Sequence, residues 1–240
     1  MSAAQQMMIA LAAAAGGTTD PYFSSVVALL HCDGVMDSTT FTDQKGKIWT
    51  PSGTAKISTA QSLYGGASGI FNGSDAFITT PQSADFDFGT GDFTVELAVR
   101  FVALPSSGAM TIVGNYTDSS SGYALQFRND GPGARLNFGW GDSISVSAAW
   151  SPVINQWYQV TIARASGVAR FFVDGVQVGA DVSFTTSLSG ATNPLRIGSL
   201  LYSGSGIQWF NGYVDEVRVT KGIARYTSNF TPPSTAFPNS

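Results

Sequence analysis

No stretch constrains the fold of this chain more than residues 156–178, QWYQVTIARASGVARFFVDGVQV. Residues 157–165 read as a strand and 168–173 as its partner, with Ser166-Gly167 as the turn between them. Asp174-Gly175 turns the chain again into Val176, Gln177 and Val178. An X-Gly pair between β-rich runs marks a tight hairpin, because glycine accepts the positive φ that such turns require. Two hairpins in succession make a meander, and a meander cannot bury its own apolar face. A second sheet has to cover it.

The rest of the chain is suited to that task. At 240 residues it is long for one domain but ordinary for an all-β sandwich. Charged residues make up only 12%, and glycine is abundant. This favours short strands joined by turns over helices rich in Glu, Lys and Arg. A single cysteine, Cys32, excludes an intrachain disulfide framework and a cysteine-based zinc site. The net charge of −4, with no basic stripe, argues against a nucleic-acid partner. No apolar run reaches the ~18 residues of a membrane span. The N-terminal apolar run lacks the preceding positive charge of a signal peptide, so secretion by that route is not expected.

Two domains are expected: an arm over residues 1–20 and a β domain over 21–240. Residues 3–15 are uncharged and Ala-rich, with apolar residues at helical spacing, helical or extended in form. A helix this short is marginal alone. Two readings stand, a frayed tail or an arm ordered by a partner. Beyond Gly16-Gly17, strands are expected at 26–30, 47–49, 55–58, 93–102, 110–115, 123–128, 135–140 and 143–148. Residues 68–71 and 76–79 read as a hairpin about Asn72-Gly73. After the meander come strands at 182–184, 195–197 and 212–220, then a helical turn at 223–226. Pro232-Pro233 cannot lie in an interior strand. The pattern predicts an antiparallel two-sheet β-sandwich jelly roll.

Five motifs in order carry a family resemblance. Phe93-Thr94-Val95-Glu96-Leu97 leads into Val99-Arg100-Phe101; then come Asn155-Gln156-Trp157-Tyr158-Gln159-Val160 and Phe171-Phe172-Val173-Asp174-Gly175. Leu195-Arg196-Ile197-Gly198 and Phe210-Asn211-Gly212-Tyr213-Val214-Asp215-Glu216-Val217-Arg218-Val219 complete the set. Together they resemble the laminin-G-like domains of the concanavalin A-like lectin/glucanase superfamily. The opening, Asp20-Pro21-Tyr22-Phe23-Ser24-Ser25-Val26 with Leu29-Leu30-His31-Cys32-Asp33-Gly34, is similar to members encoded by tailed phages and prophages. So is the ending, Ile223-Ala224-Arg225-Tyr226 through Phe230-Thr231-Pro232-Pro233. The resemblance implies a virion protein (tail, fibre or capsid decoration) that binds glycans or neighbouring virion subunits. It also implies a homo-oligomer, trimer first, with residues 3–15 contacting other virion proteins or copies of the chain. The alternative is a secreted or cell-surface bacterial carbohydrate-binding module, with a glycan hydrolase a distant third.

Three chemistries follow for consideration. Glucanases need paired carboxylates on one sheet face. The chain has two glutamates, Glu96 and Glu216, on different strands and without the alternating motif, so no enzyme is expected. Calcium is the cofactor the resemblance implies. Asp33, Asp37 and Asp43 in the first loop and Asp215 in the closing strand are the candidate ligands, since first and last strands are commonly neighbours in this fold. The competing reading is that these aspartates serve turns. For sugar binding, Tyr116, Trp140 and Tyr202 border Gly/Ser-rich loops where a flat ring can stay open to a ligand; packing at a sheet edge is the alternative.

Overall fold

The computed structural model describes residues 19–117, 121–140 and 144–240, and of Trp140 and Ile144 the backbone alone. The arm expected over residues 1–20 therefore lies outside the described residues, Thr19 and Asp20 excepted. Within them the strands, in chain order, are β1 (Val26–Leu30), β2 (Thr50–Ser52), β3 (Lys56–Ser58), β4 (Ser68–Asn72), β5 (Phe77–Thr80) and β6 (Phe93–Phe101). There follow β7 (Gly108–Gly114), β8 (Ala124–Asp130), β9 (Gly133–Trp140), β10 (Ile144–Ala149), β11 (Trp157–Ala165) and β12 (Val168–Val173). The last five are β13 (Val176–Ser183), β14 (Leu195–Ile197), β15 (Leu200–Tyr202), β16 (Ser205–Ile207) and β17 (Asn211–Lys221).

These strands form the expected sandwich. One sheet runs β13-β12-β11-β6-β17-β4-β3, with β1 sharing the edge of β17 that β4 uses further along. The other runs β10-β9-β8-β7-β14-β5-β2. The β11–β12 hairpin falls where its turn residues put it, with Ser166 at φ +49 and Gly167 at +76. Phe171 and Val173 face the inter-sheet core, while Phe172 packs on the other face against Tyr226 and Phe230. On β6, Phe93, Val95, Leu97, Val99 and Phe101 enter the core and Glu96 points away from it, the period-2 pattern of a strand.

Strand β17 departs from that period. Val214, Val217 and Val219 all enter the core, so the step along the chain is three for the first pair and two for the second. Glu216 sits at φ +51, and the register against β6 slips between Asp215 and Arg218. This bulge places Asp215, Glu216 and Arg218 together on the outer side of the sheet. The C-terminal segment covers them there: Phe237 N donates to Glu216 Oε2 at 2.7 Å, and the Arg218 guanidinium lies 3.7 Å from the Phe237 ring centroid.

Four expectations are corrected. Residues 68–79 are not a hairpin, because β4 and β5 belong to different sheets. Asn72 Oδ1 accepts from the backbone N–H of Ser74, Asp75 and Ala76, and this Asx turn carries the chain across the sandwich. Residues 223–226 are not helical; Arg225 N instead donates to Thr94 Oγ1. The strand expected at 47–49 lies at Thr50–Ser52, with Trp49 in an isolated bridge to Phe41. The strand at 182–184 is the end of a continuous β13.

Candidate functional site

A hollow of about 250 Å³ opens on the outer face of the second sheet. Its floor follows from strand alternation. Leu125 and Phe127 of β8 enter the core, so Ala124, Gln126 and Arg128 point outward and line the hollow beside Gly139 of β9. Its far wall is the β15–β16 hairpin, which supplies Leu200, Tyr202 and Ile207, followed by Gln208. This hairpin rests on Trp209: a Cβ on Gly206 would come within 2.3 Å of the indole ring, so only glycine permits the approach.

Tyr116 and Tyr202 meet at the rim, their ring centroids 6.1 Å apart and their planes 23° from parallel. Asn193 brings them together. Its Nδ2 donates to Tyr116 O at 2.7 Å and to Leu201 O at 3.0 Å, tying the loop after β7 to the hairpin. Thr117 Oγ1 accepts from the backbone N–H of Thr192 and Asn193 and secures the same junction. Arg128 is held by Asp130, Nη2 to Oδ2 at 2.7 Å, and Asp130 also accepts from Arg135. Those hydrogen bonds keep the Asp130 carboxyl below the usual carboxylate range. The hollow thus offers two aromatic faces, apolar side chains, amide groups and the Arg128 guanidinium, and among the described residues its lining carries no carboxylate.

Two of the three expected sugar-binding residues, Tyr116 and Tyr202, are therefore neighbours. The side chain of Trp140, the third, lies outside the described residues, although Gly139 just before it lines the hollow. Gln126, Gln208 and Asn193 were not foreseen. Strand alternation marks Gln126 as outward-facing; the others have no sequence signal.

The four calcium candidates do not assemble, and no group of three or more metal-ligating side chains forms among the described residues. Asp43 accepts from Leu29 N, Lys45 N and Trp49 Nε1. Asp215 accepts from Leu63 N, Tyr64 N and Glu216 N. Asp37 pairs with Lys56 at 2.7 Å, and Asp33 lies against Gly65. The Asp43 and Asp215 carboxylates thus serve N–H donors of the protein, and the Asp37 carboxylate serves an ammonium group. Burial pushes the Asp215 carboxyl up to about 7, against the pull of the Leu63 and Tyr64 N–H groups.

Both glutamates are committed on the opposite sheet. Glu96 accepts from Arg218 Nε at 2.9 Å and from the Tyr226 hydroxyl at 3.2 Å. Arg218 and Arg225 also grip Asp20, at 3.0 and 2.7 Å. Burial raises the Asp20 carboxyl, but the two guanidinium groups outweigh it and leave it below its ordinary value. Glu216 receives His31 Nδ1 at 2.8 Å, while His31 Nε2 faces Asn239 Oδ1 at 2.7 Å.

A family model described as the concanavalin A-like lectin/glucanases superfamily matches residues 72–223, more than half of the chain. The chain belongs to that superfamily. Among solved structures, this superfamily member is similar to domain 4 of AbnA, a GH43 extracellular arabinanase from Geobacillus stearothermophilus, in complex with arabinotriose. That match has a TM-score of 0.62 and 19% identity over 83% of this chain and 94% of that one. The binding domain of botulinum neurotoxin serotype G matches with a TM-score of 0.60 and 14% identity, over 83% of this chain and 49% of that one. A botulinum neurotoxin type C structure, from work on cell entry dependent on two ganglioside molecules, matches at 0.60 and 12% identity, over 85% and 50%. At these identities the likeness is one of fold, and this concanavalin A-like chain spans about half the length of the toxin structures. No curated protein sequence matches the chain.

Proposed function

We propose that this chain is a non-enzymatic glycan-binding module whose site is the hollow between β8, β9 and the β15–β16 hairpin. One observation carries the reading: Tyr116 and Tyr202 stand together at the rim of a cavity lined by Gln126 and Gln208. Aromatic faces stack on the C–H surfaces of a sugar ring, and amides take its polar groups. The arabinotriose complex and the ganglioside dependence of the fold neighbours support it.

The purified chain, screened on a broad glycan panel, should bind at least one glycan. Tyr202→Ala should weaken that binding about tenfold. Tyr202 is 46% exposed, so the melting temperature should hold. A panel without a binder, or binding indifferent to Tyr202→Ala, would sink the reading.

The setting we propose is a tailed-phage virion, with the module as a tail, fibre or capsid decoration protein. The support is the resemblance of the opening and closing motifs and the apolar composition of residues 3–15. On this reading residues 3–15 attach the module to other virion proteins or to its own copies. Deleting residues 1–17 should leave the β domain folded but abolish oligomerisation or particle attachment. Unchanged mass by light scattering, with particles still carrying the shortened chain, would refute it.

A further inference from the structure

The geometry points to an acetamido group as what the hollow recognises, and thus to an N-acetylated amino sugar as the ligand class. This rests on the glycan-binding reading and adds the identity of the sugar. Three side chains form a closed ring at the cavity. Gln126 Nε2 donates to Thr111 Oγ1 at 3.2 Å and to Gln208 Oε1 at 2.5 Å, and Thr111 Oγ1 donates to Gln208 Oε1 at 2.9 Å. Gln126 has then committed both amide hydrogens and keeps Oε1 as an acceptor. Gln208 keeps Nε2 as a donor. Turning both amides over together exchanges these roles and again leaves one donor and one acceptor. Turning over only one would set two like groups against each other. Neither remaining group has a partner among the described residues, and both side chains line the hollow.

Gln208 is held there against its backbone preference. Its φ is +55, the left-handed region that favours glycine, and Thr111 N anchors it by donating to Gln208 O at 2.7 Å. Strain of this kind persists where the side chain is wanted in one place. A sugar hydroxyl both donates and accepts, so it satisfies either group singly. A secondary amide presents its N–H and its C=O on opposite edges, so an acetamido group meets one member of the pair and adds a methyl group. Ala124, Leu200 and Ile207 offer that methyl an apolar wall.

Tri-N-acetylchitotriose and cellotriose share one β1,4-linked backbone and differ only at C2, which makes them the probes. Calorimetric titration should give about tenfold or tighter binding of the acetylated trisaccharide, the effect of burying the methyl group beside an amide hydrogen bond. Gln208→Glu keeps the shape and exchanges an amide for a carboxylate; it should abolish the preference. Should that variant unfold, Thr111→Val breaks the same ring and should reduce the preference too. Equal binding of the two trisaccharides, or a preference untouched by both variants, overturns the inference. So does binding of other glycans but of neither probe, and in each of these cases the glycan-binding reading stands. A chain that binds no glycan at all removes both.

Discussion

Replacing Arg218 by alanine is expected to destabilise the fold by about 3–5 kcal/mol, the cost of stranding buried charge. Arg218 is 4% exposed and spans two carboxylates that share its burial, Glu96 at 2.9 Å and Asp20 at 3.0 Å. Arg225 remains as a partner for Asp20, but it lies 3.4 Å from Glu96 and already serves Thr220 Oγ1. Alanine would therefore leave Glu96 with the Tyr226 hydroxyl as its nearest good donor. The stacked Phe237 would lose its cation as well. Urea unfolding of the variant against the parent measures the effect; a loss under about 1 kcal/mol would mean that the network is solvated rather than buried. The position matters because the same residues hold both ends of the described chain. Asp20 enters the network from the N-terminal side, and its backbone N–H donates to Ser240 O.

How much of this was legible beforehand depended on how local the cause was. Strands β6, β11 and β12 and their turns follow from period-2 alternation and X-Gly pairs, which act over a few residues. The Asn72-Gly73 pair misled, because the Asn72 side chain closed an Asx turn between sheets in place of a hairpin turn. The bulge at Glu216 puts a non-glycine residue at positive φ, and nothing in the local sequence announces it. Tyr116 and Tyr202 stood out as aromatics beside Gly/Ser loops, yet their pairing depends on Asn193 bridging two carbonyls far apart in sequence. Gln208 could not be found without the β15–β16 hairpin, two strands of three residues each, too short for alternation to show, the second containing Ser205 and Gly206. Asp43 and Asp215 were grouped because first and last strands are commonly neighbours in this fold. The N–H donors that occupy them come from residues whose convergence only the fold reveals.

Stability should fall steadily as pH rises from about 4 to 9, and the C-terminal clasp accounts for the upper half of that range. The Glu216 carboxylate beside His31 Nδ1 raises the imidazole to about 9, against a smaller opposing effect of burial. Unfolded histidine titrates near 6.5. A raised folded value means that the contribution is complete below about 6.5 and disappears as pH climbs through 9. Asp215 acts in the adjoining window with the same sign. Burial lifts it to about 7, above the unfolded value near 3.9, so the folded state holds that proton more tightly and loses stability between the two. Asp20 works in the opposite sense: its lowered value costs stability only in acid, as pH falls below about 3.9 through the folded value. The optimum should therefore lie in mildly acidic solution. For a chain of this length each kcal/mol moves the melting temperature by about 2–4 °C, and a decline at least that large is expected between pH 6.5 and 9. His31→Gln removes the titrating group while keeping a side chain that reaches Glu216. It should flatten the profile above pH 7 and leave the Asp215 decline below it intact. A parent protein whose melting temperature holds or rises from pH 6.5 to 9 would mean that the clasp of His31, Glu216 and Asn239 does not form as described. The same scan on the ligand-bound protein separates the two faces of the sandwich, because the clasp lies on the outer side of one sheet and the hollow on the outer side of the other. Glycan affinity should therefore stay level across the range in which stability declines.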